Sequence, residues 1–74
     1  MSSLPQVSGA EVVKALGKQG FRVRRQHGSH IILRRDDPFS QTVVPNHKQI
    51  DRGTLRAILR QSGISVDEFV SLLS

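Results

Sequence analysis

The sequence predicts a small α+β fold in which one helix precedes a three-stranded antiparallel sheet and two helices follow it. Three observations indicate this order: two serine capping boxes, a middle section with alternating residues, and a helix-period apolar stripe in the last third. The 74 residues suffice for one domain, residues 1–74. Apolar residues make up 36% of the chain, and the six glycines bring this share near the value of ordinary globular domains.

The first helix is predicted over residues 9–19. Ser8 and Glu11 have the spacing of a capping box, in which each side chain accepts a backbone N–H of the other residue. Gly20 is expected to end the helix, because glycine readily adopts the left-handed conformation that follows many helices.

The strands are predicted over residues 21–25, 29–35 and 41–44, with turns at 27–29 and 36–38. In the first strand, alternation places Phe21 and Val23 on one face and Arg22 and Arg24 on the other.

The sequence allows two registers for the second strand. If Ile31 and Leu33 pack against the helices, His30, Ile32 and Arg34 share the open face. The opposite register is also possible, because residues 31–33 are all apolar and a bulge at Gly28 would shift them.

The C-terminal third is predicted to be helical. Asp51 is a suitable N-cap, and Gly63 is suited to the end of that helix. Ser65 and Glu68 form a second capping box, which begins a short final helix. The complete order, α-β-β-β-α-α with helices on one face of the sheet, resembles the double-stranded-RNA-binding fold.

The charge of the chain points to a polyanion as its partner. It has 11 Lys and Arg against 6 Asp and Glu, a formal net charge of +5. The stretch from residue 14 to residue 35 contains no acidic residue and seven basic ones: Lys14, Lys18, Arg22, Arg24, Arg25, Arg34 and Arg35. Such a stretch favours a phosphate-facing surface, although a solvated surface that keeps a small protein soluble is the alternative.

Several classes of function are disfavoured by what the sequence lacks. It has no cysteine, no phosphate-binding glycine loop and no apolar run long enough to span a membrane. No secretory signal is recognised in residues 1–8, so the cytoplasm is the expected location. With three Phe and no Trp or Tyr, a base-stacking platform is not expected. Phe39 lies in a predicted hairpin, where a small satellite contact is the favoured interpretation and exposure is the alternative.

The three histidines, His27, His30 and His47, are the candidate chemical groups. A three-histidine metal site is disfavoured because no carboxylate lies at a helpful spacing, and no cofactor is expected. Acid/base catalysis is the second interpretation, since histidine exchanges a proton near neutral pH and could activate a ribose 2′-OH. An inert surface residue remains the alternative for each. Ser29 adds a hydroxyl beside His30, and Gly28 lets a ligand approach the backbone.

On the second predicted helix, Arg52, Arg56 and Arg60 recur every four residues and form a cationic ridge. This arginine ridge is either a solvated helix face or a contact with phosphate or a partner.

At these residues the sequence resembles the HicA family of toxins from bacterial toxin–antitoxin pairs. Four stretches carry the resemblance in the family's order: residues 8–16 with 20–21, residues 28–30, residues 44–47, and residues 53–65 with 68–69. Each is weakly specific alone, whereas four in order across nearly the whole chain are specific.

The resemblance implies a double-stranded-RNA-binding-like fold and a ribosome-independent endoribonuclease that cuts messenger RNA and arrests growth. Because the chain has no cysteine and no clustered carboxylates, we expect this cleavage to need no metal ion. The resemblance also implies a HicB-type antitoxin that covers the active site. The family's catalytic histidine falls on His30, and His47 matches a frequent but less clearly catalytic histidine. Many members have a second histidine after the first, where this chain has Ile31.

The sequence also allows two functions other than that of a toxin. One is a non-enzymatic double-stranded-RNA-binding module of the same fold, in which the cations track phosphates and His30 only donates a hydrogen bond. The other is a protein-interaction subunit whose arginine ridge meets an acidic partner. For the leading interpretation, the RNA contacts are predicted to come from Lys14, Lys18, Arg22, Arg24, Arg25, Ser29, Arg34 and His47.

Overall fold

A computed structural model describes residues 3–73 of the chain. Its elements are α1 (Gly9–Gly17), β1 (Arg22–His27), β2 (His30–Asp36), β3 (Phe39–Pro45), α2 (Arg52–Ser62) and α3 (Val66–Leu72). The strands form an antiparallel sheet in the order β1-β2-β3. This is the predicted α+β layout, consistent with a double-stranded-RNA-binding-like fold. The ends of the predicted domain, residues 1–2 and 74, lie outside the described residues.

The capping box at Ser8 forms as predicted and begins α1. The Glu11 backbone N–H donates to Ser8 Oγ at 3.1 Å, and the Ser8 N–H donates to Glu11 Oε1 at 2.9 Å. The helix ends at Gly17, two residues earlier than predicted, because the chain already reverses over residues 18–20. Gly20 adopts a φ of +90°, which lets the next N–H return to the carbonyl of Leu16.

Both hairpins are tighter than the sequence predicts. Gly28 and Ser29 alone form the first turn, and Gly28 adopts a φ of +57°, a conformation that favours glycine. The second turn contains only Asp37 and Pro38, whose peptide bond is cis. As a result β3 begins at Phe39, two residues before its predicted start, and is paired with β2 along its whole length.

The register of β2 is the first of the two that the sequence allows. Ile31 and Leu33 are buried against the helices, so His30, Ile32 and Arg34 lie on the open face. The bulge lies in β1 rather than at Gly28: the pairing passes from Val23–Leu33 directly to Arg25–Ile32 and leaves Arg24 as the extra residue. The predicted alternation therefore fails after Arg24.

The helix caps predicted for the C-terminal third of the chain are confirmed. Asp51 accepts from the Thr54 N–H at 3.1 Å, Gly63 ends α2 with a φ of +70°, and Ser65 begins α3 in a complete capping box. No helix among residues 3–73 is long and apolar enough to cross a membrane.

One hydrophobic core lies between the sheet and the helices. Its largest fully buried apolar side chains are Phe69, Leu16, Leu33, Leu55, Ile58, Val12 and Val44. Helices α1 and α2 pack on β3, so β1 is the edge strand farther from them. Every residue of β1 is exposed, including Val23, which is 53% exposed although it pairs with buried Leu33.

Candidate active site and nucleic-acid interface

His30 lies at one end of the open sheet face. It is the first residue of β2, it is exposed, and it pairs with His27 on β1 and with Pro45 on β3. Side chains that lie directly opposite each other in an antiparallel pair project from the same face. The imidazoles of His27 and His30 therefore share the open face beside the Gly28-Ser29 turn.

The segment that carries His47 is held against this end of the sheet by backbone hydrogen bonds. The Asn46 N–H donates to the Ser29 carbonyl at 2.6 Å, and the Gly9 N–H donates to the His47 carbonyl at 2.9 Å. The start of α1 therefore sits directly on this segment, and a Cβ on Gly9 would collide with the Pro45 carbonyl oxygen. This packing brings all three histidines to one end of the molecule.

The three imidazoles make no hydrogen bond or ion pair within residues 3–73, and each of these histidines is exposed. No carboxylate therefore orients His30 in the way that an aspartate orients the histidine of a hydrolase triad. Within the same residues, no group of three or more His, Cys, Asp or Glu is arranged to hold a metal ion. The ring nitrogens of His30 are available to a substrate from solvent.

The bulge in β1 builds a cationic cleft next to the histidines. Because Arg24 and Arg25 together lie opposite the single residue Ile32, both side chains border the same depression on the open face. Its volume is about 210 Å³, and Arg34 and Gln41 complete its lining. We call this depression, lined by Arg24, Arg25, Ile32, Arg34 and Gln41, the arginine cleft.

The positive charge of this face is largely uncompensated. Arg22 lies directly opposite Arg34, and like charges in that position destabilise a strand pair. The one ion pair formed among residues 3–73 joins Arg34 Nε to Asp36 Oδ1 at 2.9 Å, and the Asp36 side chain is 80% exposed. A bound anion would offset this repulsion.

The other cations of the acid-free stretch lie elsewhere. Lys14 and Lys18 border a groove between α1 and α3, and Lys18 Nζ donates to the Leu72 carbonyl at 2.8 Å. The Arg35 guanidinium stacks 4.6 Å from the centre of the Phe21 ring. The stretch that looks continuous in sequence is thus divided between the open face and the helical side.

On the open face, nothing in the sequence indicated Gln41, and the exposure of Phe39 was indicated only as the less favoured alternative. Phe39 is 68% exposed, so the predicted satellite contact is wrong. Gln41 lines the arginine cleft. The doublet Arg24-Arg25 is the sequence signal that could have revealed the cleft, because a charged residue at the third apolar position breaks the alternation of the strand.

The arginine ridge belongs to the helical side of the molecule. Arg52, Arg56 and Arg60 are exposed on α2, whose opposite side packs into the core and contacts β3. The Gln61 carbonyl and side chain accept from Ser40 and Thr42 of that strand. The ridge is therefore separate from the open face that carries His30.

Comparison with known protein families identifies the family of the chain. The family described as HicA toxin of bacterial toxin-antitoxin matches residues 9–64, which run from the start of α1 to two residues beyond the end of α2 and contain every histidine. The chain belongs to the HicA toxin family. No curated protein matches the sequence significantly. Membership in the HicA toxin family implies that the chain has a cognate antitoxin as its partner. The matched region contains the Gly28-Ser29 turn, the arginine cleft and the arginine ridge.

Proposed function

We propose that this HicA toxin is a ribosome-independent endoribonuclease that cleaves messenger RNA with His30 as its acid/base, without a metal ion. The observation that carries the proposal is the exposed His30 imidazole, which has no partner within residues 3–73 and lies on the same face as four arginines. Because messenger RNA is the substrate, the toxin acts in the cytoplasm.

The chemistry follows from a histidine beside a held phosphodiester. His30 takes the proton of a ribose 2′-OH, the 2′-oxygen attacks the adjacent phosphorus, and the bond from phosphorus to the 5′-oxygen breaks. The products are a 2′,3′-cyclic phosphate and a new 5′-OH, which receives its proton from His47, a lysine or water. Cations near the phosphate stabilise the additional negative charge of the transition state.

A HicB-type antitoxin neutralises the toxin by covering His30. The open face is rich in arginine and holds only one paired carboxylate among the described residues, so an acidic antitoxin surface fits it. The Gly28-Ser29 turn and His30 are at the border of this face, within the area that such a partner would cover.

The test is inducible expression of the wild type, His30→Ala and the matched control His27→Ala, which removes the paired imidazole on the same face. Growth and total messenger RNA are measured, and purified proteins are incubated with RNA in the absence of ribosomes. We expect arrest and cleavage by the wild type, their loss in His30→Ala and their retention in His27→Ala. A folded His30→Ala protein that still cleaves RNA would show that the assignment is wrong. Binding without cleavage by the wild type would identify a non-enzymatic RNA-binding module.

A further inference from the structure

We propose that the open sheet face is a track for an unpaired RNA strand. The arginine cleft holds the phosphate next to the one at His30, and the Phe39 ring stacks on a base beyond it. This inference rests on the proposed function, because it takes His30 as the point of cleavage. It adds a substrate conformation, a phosphate subsite and a base subsite.

The first argument is the alignment of these groups. His30, Ile32, Arg34 and Asp36 follow one another on the open side of β2, and Phe39 lies directly opposite Asp36. Residues two apart on a strand are about 7 Å apart along it. His30, the arginine cleft and the Phe39 ring therefore follow one another along β2. An RNA strand that lies parallel to β2 would contact them in this order.

The second argument is the construction of the arginine cleft. A bulge is needed to place Arg24 and Arg25 opposite one residue of β2, and it concentrates positive charge there. Within residues 3–73, Asp36 is the only carboxylate that forms an ion pair with an arginine of this cleft. Arg34 uses its Nε on Asp36, which leaves its terminal N–H groups for a phosphate. The Gln41 amide supplies a neutral donor at the same place.

The third argument is the exposure of Phe39. The ring is 68% exposed, the highest value among the large exposed apolar side chains of the described residues. Every base has a face that stacks on an aromatic ring, so one such ring recognises a base without selecting its identity. A base in a duplex is stacked on its neighbours, so only an unpaired base offers its face to Phe39.

The experiment measures RNA binding by His30→Ala protein, which keeps the RNA uncut. The probes are a fluorescent single-stranded RNA of about twelve nucleotides, within the range of known single-strand site sizes, and the same strand annealed to its complement. Wild-type protein with a 2′-O-methyl strand, which has no 2′-OH to attack, repeats the measurement with the histidine present. We expect the single strand to bind at least tenfold more tightly than the duplex.

The arginine cleft is tested with two double variants that each remove two positive charges. Arg24→Gln/Arg25→Gln changes the cleft, and Arg56→Gln/Arg60→Gln changes the helical side as the matched control. We expect the cleft variant to weaken single-strand binding about tenfold and to lower the slope of log K against log salt by roughly 0.7 for each phosphate that it no longer neutralises. The control should change the affinity less than threefold. Thermal unfolding confirms that both variants fold.

Phe39 is tested by Phe39→Ala, with Phe39→Trp as the conservative variant and Val70→Ala as an exposed apolar control on α3. Loss of one stacked base weakens binding by about fivefold to a hundredfold, and tryptophan should restore it.

The inference would be wrong if the duplex bound more tightly, if the two double arginine variants had equal effects, or if no RNA binding could be measured. Cleavage by the wild type is measured separately. If the wild type cleaves RNA but does not prefer the single strand, only this inference is wrong. If it binds the single strand as expected but does not cleave, the proposed function is wrong.

Discussion

The backbone N–H of Asn46 donates a 2.6 Å hydrogen bond to the carbonyl oxygen of Ser29. Ser29 precedes His30 and Asn46 precedes His47, so this bond joins the two segments that carry these histidines. Pro45 also pairs directly with His30 across the sheet. His47 therefore stays one candidate for the second proton transfer, beside a lysine or water, because Ile31 has no group that can supply a proton.

The three histidines should contribute unequally to cleavage. His30→Ala should lower the rate by about 10²–10⁴-fold, since a positioned acid/base has no ready substitute. His47→Ala should have an intermediate effect, and His27→Ala should be mild. Steady-state cleavage of a short fluorescent RNA measures the three rates. Because all three side chains are exposed, thermal unfolding should hardly change, with stability effects within about 0.5 kcal/mol.

The opposite ranking would place the acid/base elsewhere. If His47→Ala is inactive while folded and RNA-binding, and His30→Ala is active, the active histidine is His47. Loss of activity in His30→Ala through unfolding would also contradict the assignment.

Cleavage should continue when divalent metal ions are removed. The chemical groups of the candidate site are imidazoles and guanidinium groups. The proposed nucleophile is the 2′-OH of the RNA itself, so no metal-bound water has to be activated. RNA incubated with the toxin in excess EDTA should therefore yield fragments that end in a 2′,3′-cyclic phosphate, identified by mass spectrometry. Loss of cleavage in EDTA that a divalent ion restores would argue against the histidine mechanism.

Replacement of Gly9 by alanine should destabilise the protein, whereas the same replacement of Gly17, in the same helix, should not. A Cβ on Gly9 would meet the Pro45 carbonyl and the Asn46 backbone, whereas a Cβ on Gly17 has nothing within 4 Å. Gly9→Ala should reduce the free energy of unfolding by about 1–3 kcal/mol, the usual cost of overpacking. Gly17→Ala should be neutral or stabilising by up to about 1 kcal/mol, because alanine favours the helix.

Urea denaturation of both variants measures these changes. Gly9→Ala should also reduce cleavage under folding conditions, because the Gly9 N–H holds the His47 carbonyl. Equal stability of the two variants would show that α1 does not press on the segment that carries His47.

An antitoxin that covers the open face should compete with RNA and depend on the arginine cleft. Arg24→Gln/Arg25→Gln should slow association with the purified antitoxin and reduce its salt dependence, because charge steers the encounter. Arg56→Gln/Arg60→Gln is the control on the helical side. Stopped-flow association at several salt concentrations measures both. A complex that leaves His30 accessible to RNA, or a larger effect of the control, would contradict occlusion through this face.

Local chemistry made much of the fold predictable. Ser8, Asp51, Ser65 and Gly63 act within a few residues of themselves, and each caps or ends a helix as the sequence predicts. Strand boundaries were less predictable, because a strand is extended by its partner: Phe39 joins β3 only because Asp36 lies opposite it.

The sequence by itself determined the order of elements, the helix caps and the excess of basic residues, each of which depends on residue type and short spacing. His30 as the candidate catalytic group is what the resemblance to the HicA family implies. Only the tertiary structure decided which cations share a surface, because that depends on pairing between strands and on where the helices pack. The bulge at Arg24 brings Arg24 and Arg25 over Ile32, whereas Arg35 turns to the Phe21 ring and Lys18 to α3. The same packing leaves Phe39 exposed and brings His47 to the end of the sheet that carries His30.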